Sequence, residues 1–114
     1  MKDRLVLLRH LADCLQRIRD YTADGHEQFL SDRKTQDAVI RNLEIVGQIV
    51  RDLGPEYLAG QRPEVPWTRI AGARNILAHQ YLGVDLSLVW NIVERDLTAL
   101  EVAARQLIEN STES

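Results

Sequence analysis

The chain has one cysteine, three prolines, six glycines and only 5% aromatic residues among its 114 positions. A lone thiol, Cys14, excludes an internal disulfide and any cysteine-rich zinc site, and it is expected to be buried on an amphipathic helix. Scarce glycines and aromatics favour helices over sheets. Long apolar runs are also missing: Leu5 to Leu8 is closed at once by Arg9. That is too short for a signal-peptide core or a membrane span, so a cytoplasmic protein is expected. No glycine-rich phosphate loop occurs, and Ser31 and Ser87 have no histidine neighbour for nucleophilic catalysis. His10 and His26 have no metal-ligand partner at helical spacing and read as solvated, His26 in the loop after the first helix. Neither a metal nor a cofactor is expected.

Lysine is nearly absent too. Lys2 and Lys34 stand against twelve arginines, within a formal net charge of −3. The acidic balance argues against coating nucleic acid by bulk attraction, but it leaves room for a local site built from arginine, which grips phosphate as a two-pronged fork. Hydrophobic residues at 45% and charged residues at 27% describe an ordinary globular chain, and its length suits one domain, residues 1–114. The polar tail 110–114 is expected to fray.

What is present is helical periodicity. Leu8, Leu11, Leu15 and Ile18 trace one stripe of a first helix over residues 2–23. Asp24 and Gly25 break it, and Ser31 or Asp32 can cap the next, whose stripe reads Ile40, Leu43, Val46, Val50 and Leu53. Gly54 and Pro55 stop that helix. The connector GPEYLAGQRPEVP holds all three prolines, with one helical turn expected at Pro55 to Ala59. A third helix restarts at Pro66, buries Trp67, Ile70, Ala73, Leu77 and Tyr81, and ends at Gly83. Asp85 caps a fourth with the stripe Val89, Val93, Leu97, Leu100, Ala104 and Leu107. The expected fold is all-α, an antiparallel four-helix bundle with a short extra helical turn in the central connector. Leu88, Trp90 and Ile92 spill outside the last stripe, a surplus that fits either a second subunit or a broad bundle core.

The third helix carries the octet RNILAHQY, residues 74–81. At about 100° per residue, with Arg74 at zero, Asn75 lies at roughly 100°, His79 at roughly 140° and Tyr81 at roughly −20°. Asn75 and His79 therefore stack one above the other, and Arg74 shares a face with Tyr81. Arginine holds phosphate, and histidine moves protons near neutrality. Together they suit phosphodiester cleavage in RNA, which carries its own nucleophile in the 2′-hydroxyl and needs no metal. One histidine cannot be both base and acid, but two copies of this helix in a symmetric dimer supply both. Ordinary roles fit the same residues: a carboxylate pair for Arg74, a cap for His79, a core place for Tyr81.

RNILAHQY resembles the R-x4-H-x-Y signature of HEPN-domain ribonuclease toxins of the HepT type, the partners of minimal nucleotidyltransferase antitoxins. KTQDAVIRNLEIVGQIV, VPWTRIAGARN and GVDLSLVWNIVERDL extend the similarity across nearly the whole chain. The resemblance implies a HEPN-like bundle, a homodimer, and metal-independent RNA cleavage in the dimer cleft. Arg74 and His79 would be catalytic, and Asn75 matches the polar residue that commonly follows the family arginine. Tyr81 would receive AMP from ATP, transferred by the antitoxin, and the bulky anion would compete with RNA for the same cation. Arg41, Arg62 or Arg69 are candidates to line the cleft. The alternative is a non-catalytic helical module that docks a nucleotidyltransferase.

Overall fold

Asp3 opens the first helix: its side chain accepts from the Leu5 amide at 3.1 Å, satisfying one of the amides that a helix start leaves unpaired. In the computed structural model, which describes residues 3–78, 83 and 85–112, six helices follow in order. They are α1 Arg4–Tyr21, α2 Gly25–Ser31, α3 Arg33–Leu53, α4 Pro55–Gln61, α5 Trp67–Ala78 and α6 Leu86–Thr112. Asp32 caps α3 by accepting from the Lys34 amide at 3.0 Å, and Asp85 caps α6 by accepting from the Ser87 amide at 2.9 Å. Gly54 ends α3 at φ +97°, a left-handed backbone that glycine adopts without a side-chain clash.

The four long helices form the expected bundle. Central α3 packs on α1 and on α5, and α6 packs on α1. Arg19 near the end of α1 meets Thr98 and Glu101 of α6, whereas Arg4 at its start lies near Asn110, so the two run antiparallel. Leu8, Leu11, Leu15, Val46, Val50, Val89 and Leu100 are fully buried at the shared core. Trp67 seals the end by the connector, and its indole N–H donates to the Arg62 carbonyl at 2.9 Å.

Three expectations change. The segment after α1 is not a loop: residues 25–31 form α2, with Phe29 buried and the His26 ring stacked on Trp90 at 4.7 Å and 12°. The apolar surplus of α6 is thereby covered largely within the chain, since Ile92 is buried and Trp90 lies under His26 and Phe29. The tail does not fray at Asn110, because α6 continues to Thr112 with the Ser111 hydroxyl donating to the Leu107 carbonyl at 2.9 Å. In the connector, the short turn extends to a seven-residue helix through Gln61. Among the described residues, no helix is long and apolar enough to cross a membrane.

Candidate active site

Gly47, in the middle of α3, sets where the arginine of the octet stands. A methyl group placed there would lie 2.6 Å from the Arg74 Cβ and 3.0 Å from the Ile70 carbonyl oxygen. Only a residue without a side chain lets α5 come this close, and the neighbouring atoms are backbone and Cβ, which cannot swing aside. Arg74 is consequently anchored at its root against α3 and is half-buried. Its Nη1 donates to the Asn75 amide oxygen at 3.0 Å.

That bond gives Asn75 a partner that angular spacing does not suggest: its amide oxygen accepts from Arg74. Adjacent helix positions diverge by about 100° at the backbone, but a long arginine arm curls back across that gap. Asn75 thereby holds one nitrogen of the Arg74 guanidinium. His79 and Tyr81 lie outside the described residues, and the pairing proposed for each lies there with them.

Arg74 closes one end of a cleft of about 220 Å³ between α1 and α3. Leu7, Ile45 and Ile49 give it an apolar floor, Glu44, Gln48 and Asp52 supply polar groups, and His10 and Arg41 stand on the rim. His10 is exposed, as the sequence suggests, but it shares a cleft with Arg74, which the spacing along one chain does not reveal. The three arginines considered as cleft partners separate clearly. Arg62 donates to Glu64 at 2.5 Å, and Arg69 donates to both carboxylate oxygens of Asp96 at 2.6 and 2.7 Å. Only Arg41 lines the cleft, with a loose 3.6 Å approach to Glu44.

Electrostatically, Arg74 differs from these neighbours: among the described residues it has no carboxylate within ion-pair distance. A half-buried guanidinium that lacks an internal counter-ion is free to take an external anion. The Arg62 partner Glu64 is held below the usual carboxylate range, first by a backbone hydrogen bond and then by the Arg62 side chain. That arginine is committed within the structure. Among the described residues, no three His, Cys, Asp or Glu side chains gather as a metal site.

The described residues form an all-helical bundle with Arg74 beside a cleft, and comparison supplies the family. The profile described as "Ribonuclease HepT-like" matches residues 11–107. The chain belongs to the HepT-like ribonuclease family. It is 38% identical over 95 residues to a "Probable ribonuclease HepT" of Thermococcus cleftensis, covering 82% of this chain and 86% of the relative. It is 40% identical over 93 residues to a "Putative RNase" of Methanocaldococcus jannaschii, covering 81% and 76%. A "Gamma-glutamylcyclotransferase and putative RNase" of the same organism is 35% identical over 109 residues, covering 95% of this chain. The chain spans about half, 49%, of that longer relative. No solved structure matches the chain significantly.

Proposed function

We propose that this chain is a metal-independent endoribonuclease, the toxin of a toxin–antitoxin pair, acting as a homodimer. The observation that carries the reading is Arg74: half-buried, fixed at its root by Gly47, bonded to Asn75 and, among the described residues, without a carboxylate at ion-pair distance. Such a group binds the scissile phosphate and offsets the charge that grows on its oxygens in the transition state. One His79 takes the proton of the 2′-hydroxyl as the 2′-oxygen bonds to phosphorus. His79 of the partner subunit, protonated, gives a proton to the departing 5′-oxygen as its bond to phosphorus breaks.

Replacing His79 with Ala abolishes RNA cleavage and leaves the helical circular dichroism unchanged; a fully active variant refutes the mechanism. The rate traces a bell against pH near neutrality, because one imidazole must be neutral and the other charged. Cleavage that stops on chelation of divalent ions contradicts the metal-free scheme.

Regulation follows from the same octet. A partner nucleotidyltransferase transfers AMP from ATP to the Tyr81 oxygen, releasing pyrophosphate. The attached anion then competes with RNA for Arg74. With ATP, magnesium and that partner, the chain mass rises by whole AMP units, and Tyr81→Phe prevents the rise. Labelling that persists in Tyr81→Phe moves the switch elsewhere.

A further inference from the structure

The cleft beside Arg74 has the size and lining of a place for one nucleobase. We infer that it holds a single unstacked base next to the phosphate bound by Arg74, and that Glu44 selects guanine there. This inference rests on the ribonuclease reading of the same arginine.

The argument starts from size. About 220 Å³ is smaller than the pockets that take drug-sized ligands, and it suits a fragment no larger than one planar ring system. Its floor of Leu7, Ile45 and Ile49 is apolar, which favours the face of a ring over a hydrated phosphate. Both walls end in groups able to stack. His10 on α1 and Arg41 on α3 are exposed at the rim, and among the described residues Arg41 has only the 3.6 Å approach to Glu44 and His10 no hydrogen bond. Aromatic and guanidinium planes are the surfaces on which proteins stack the splayed bases of single-stranded RNA.

Selectivity lies in the polar wall. The Glu44 side chain is 23% exposed, and among the described residues its ion-pair contact is a loose 3.6 Å approach of Arg41. Gln48 donates one amide hydrogen to Asp52 at 2.9 Å, and its carbonyl oxygen remains an acceptor for something else. The wall therefore accepts hydrogen bonds more than it donates them. Among the four RNA bases, guanine alone presents two adjacent donors, N1–H and N2–H, that meet both oxygens of one carboxylate. Adenine, cytosine and uracil each offer a single donor group on that edge. A site built to pair both donors discriminates against a base lacking one, because a carboxylate oxygen is then left unpaired.

The test is a titration of the purified full chain with guanosine, inosine and adenosine 5′-monophosphates and with inorganic phosphate, read by amide chemical shifts. Inosine lacks only the 2-amino group. The expected result is shifts centred on Ile45 and Gln48, with the guanine nucleotide bound at least fivefold tighter than the inosine one. Glu44→Gln erases that difference. Equal binding of the three nucleotides, shifts elsewhere, no binding, or the same shifts from phosphate alone each overturn the inference. A second measurement needs no variant: an RNA cut by wild-type protein is cleaved at least fivefold more slowly when the guanine beside the cut is replaced by hypoxanthine. RNA cleavage without base preference removes the guanine site and leaves the ribonuclease standing. Guanine-selective binding by a chain that cuts no RNA removes the ribonuclease and leaves the site.

Discussion

Gly47 and Arg74 form one unit, although they lie on different helices and only the arginine has chemistry of its own. Adding a methyl at Gly47 puts carbon 2.6 Å from the Arg74 Cβ, so α3 and α5 must part. Gly47→Ala is expected to cost about 1–3 kcal/mol, the usual penalty for overpacking, despite alanine's better helix propensity. Urea denaturation measures the loss, and RNA cleavage per folded chain falls with it because Arg74 moves with its helix. An unchanged midpoint together with an unchanged rate disproves the close packing. Cys14 is a residue of the opposite kind, buried and without a role in the cleft. Burial holds its thiol above the ordinary value of 9.0, against a smaller opposing pull from Arg17. The folded state thus keeps the proton longer than the unfolded chain does. Its contribution to stability is complete below the ordinary thiol value and is lost as pH rises through the folded one. Two results are expected: a thiol reagent labels the native chain far more slowly than the urea-unfolded chain, and the alkaline fall in stability is smaller in Cys14→Ala. Equal labelling of native and unfolded chains contradicts a buried thiol.

At the scale of elements, the weak edge of the bundle among the described residues lies between α5 and α6, which approach each other little along their backbones. Arg69 bridges this edge to Asp96, whose side chain is 8% exposed against 53% for the arginine. Removing the arginine leaves a buried carboxylate unpaired. A fully buried pair broken this way costs about 3–5 kcal/mol, and water at the exposed guanidinium reduces the expectation for Arg69→Ala to about 1–2 kcal/mol. Adding Asp96→Asn to that variant recovers part of the loss; if Arg69→Ala melts like the wild type, the bridge does not hold the edge. The elements differ in how legible they are, for physical reasons. The helices α1, α3 and α6 announce themselves because each buries one stripe and exposes the other. The short α2, GHEQFLS, carries no such stripe, and it is fixed by the contact of His26 and Phe29 with Trp90, far away in sequence. The arginine at the candidate site was legible because its chemistry is local to one octet. Its bond to Asn75, its seat on Gly47 and its cleft with His10 were not, since each depends on side-chain reach or on helices meeting in space.

At the scale of the whole molecule, the proposed mechanism needs two proton-transfer groups, and one His79 per chain would make activity a property of the assembly. One surface feature agrees with a second copy seated on α5: Ile76, next to Asn75, is 47% exposed on the side of the helix that also carries Gly72. An isoleucine beside the candidate site gains from being covered, at roughly 25 cal/mol per Å² of apolar surface removed from water. If two chains make each site, cleavage per chain falls on dilution as dimers dissociate, and the midpoint of that fall matches the monomer–dimer equilibrium measured by sedimentation. Ile76→Glu places a charge in the covered surface, so the midpoint should move at least tenfold higher in concentration, about 1.4 kcal/mol. At concentrations high enough to restore the dimer, the variant regains much of its cleavage, which separates a failure to assemble from damage to Arg74. A rate per chain that stays constant well into the monomeric range requires a complete site within one chain. His79 would then need a different proton-transfer partner, and His10, which lines the cleft of Arg74, is the first to replace.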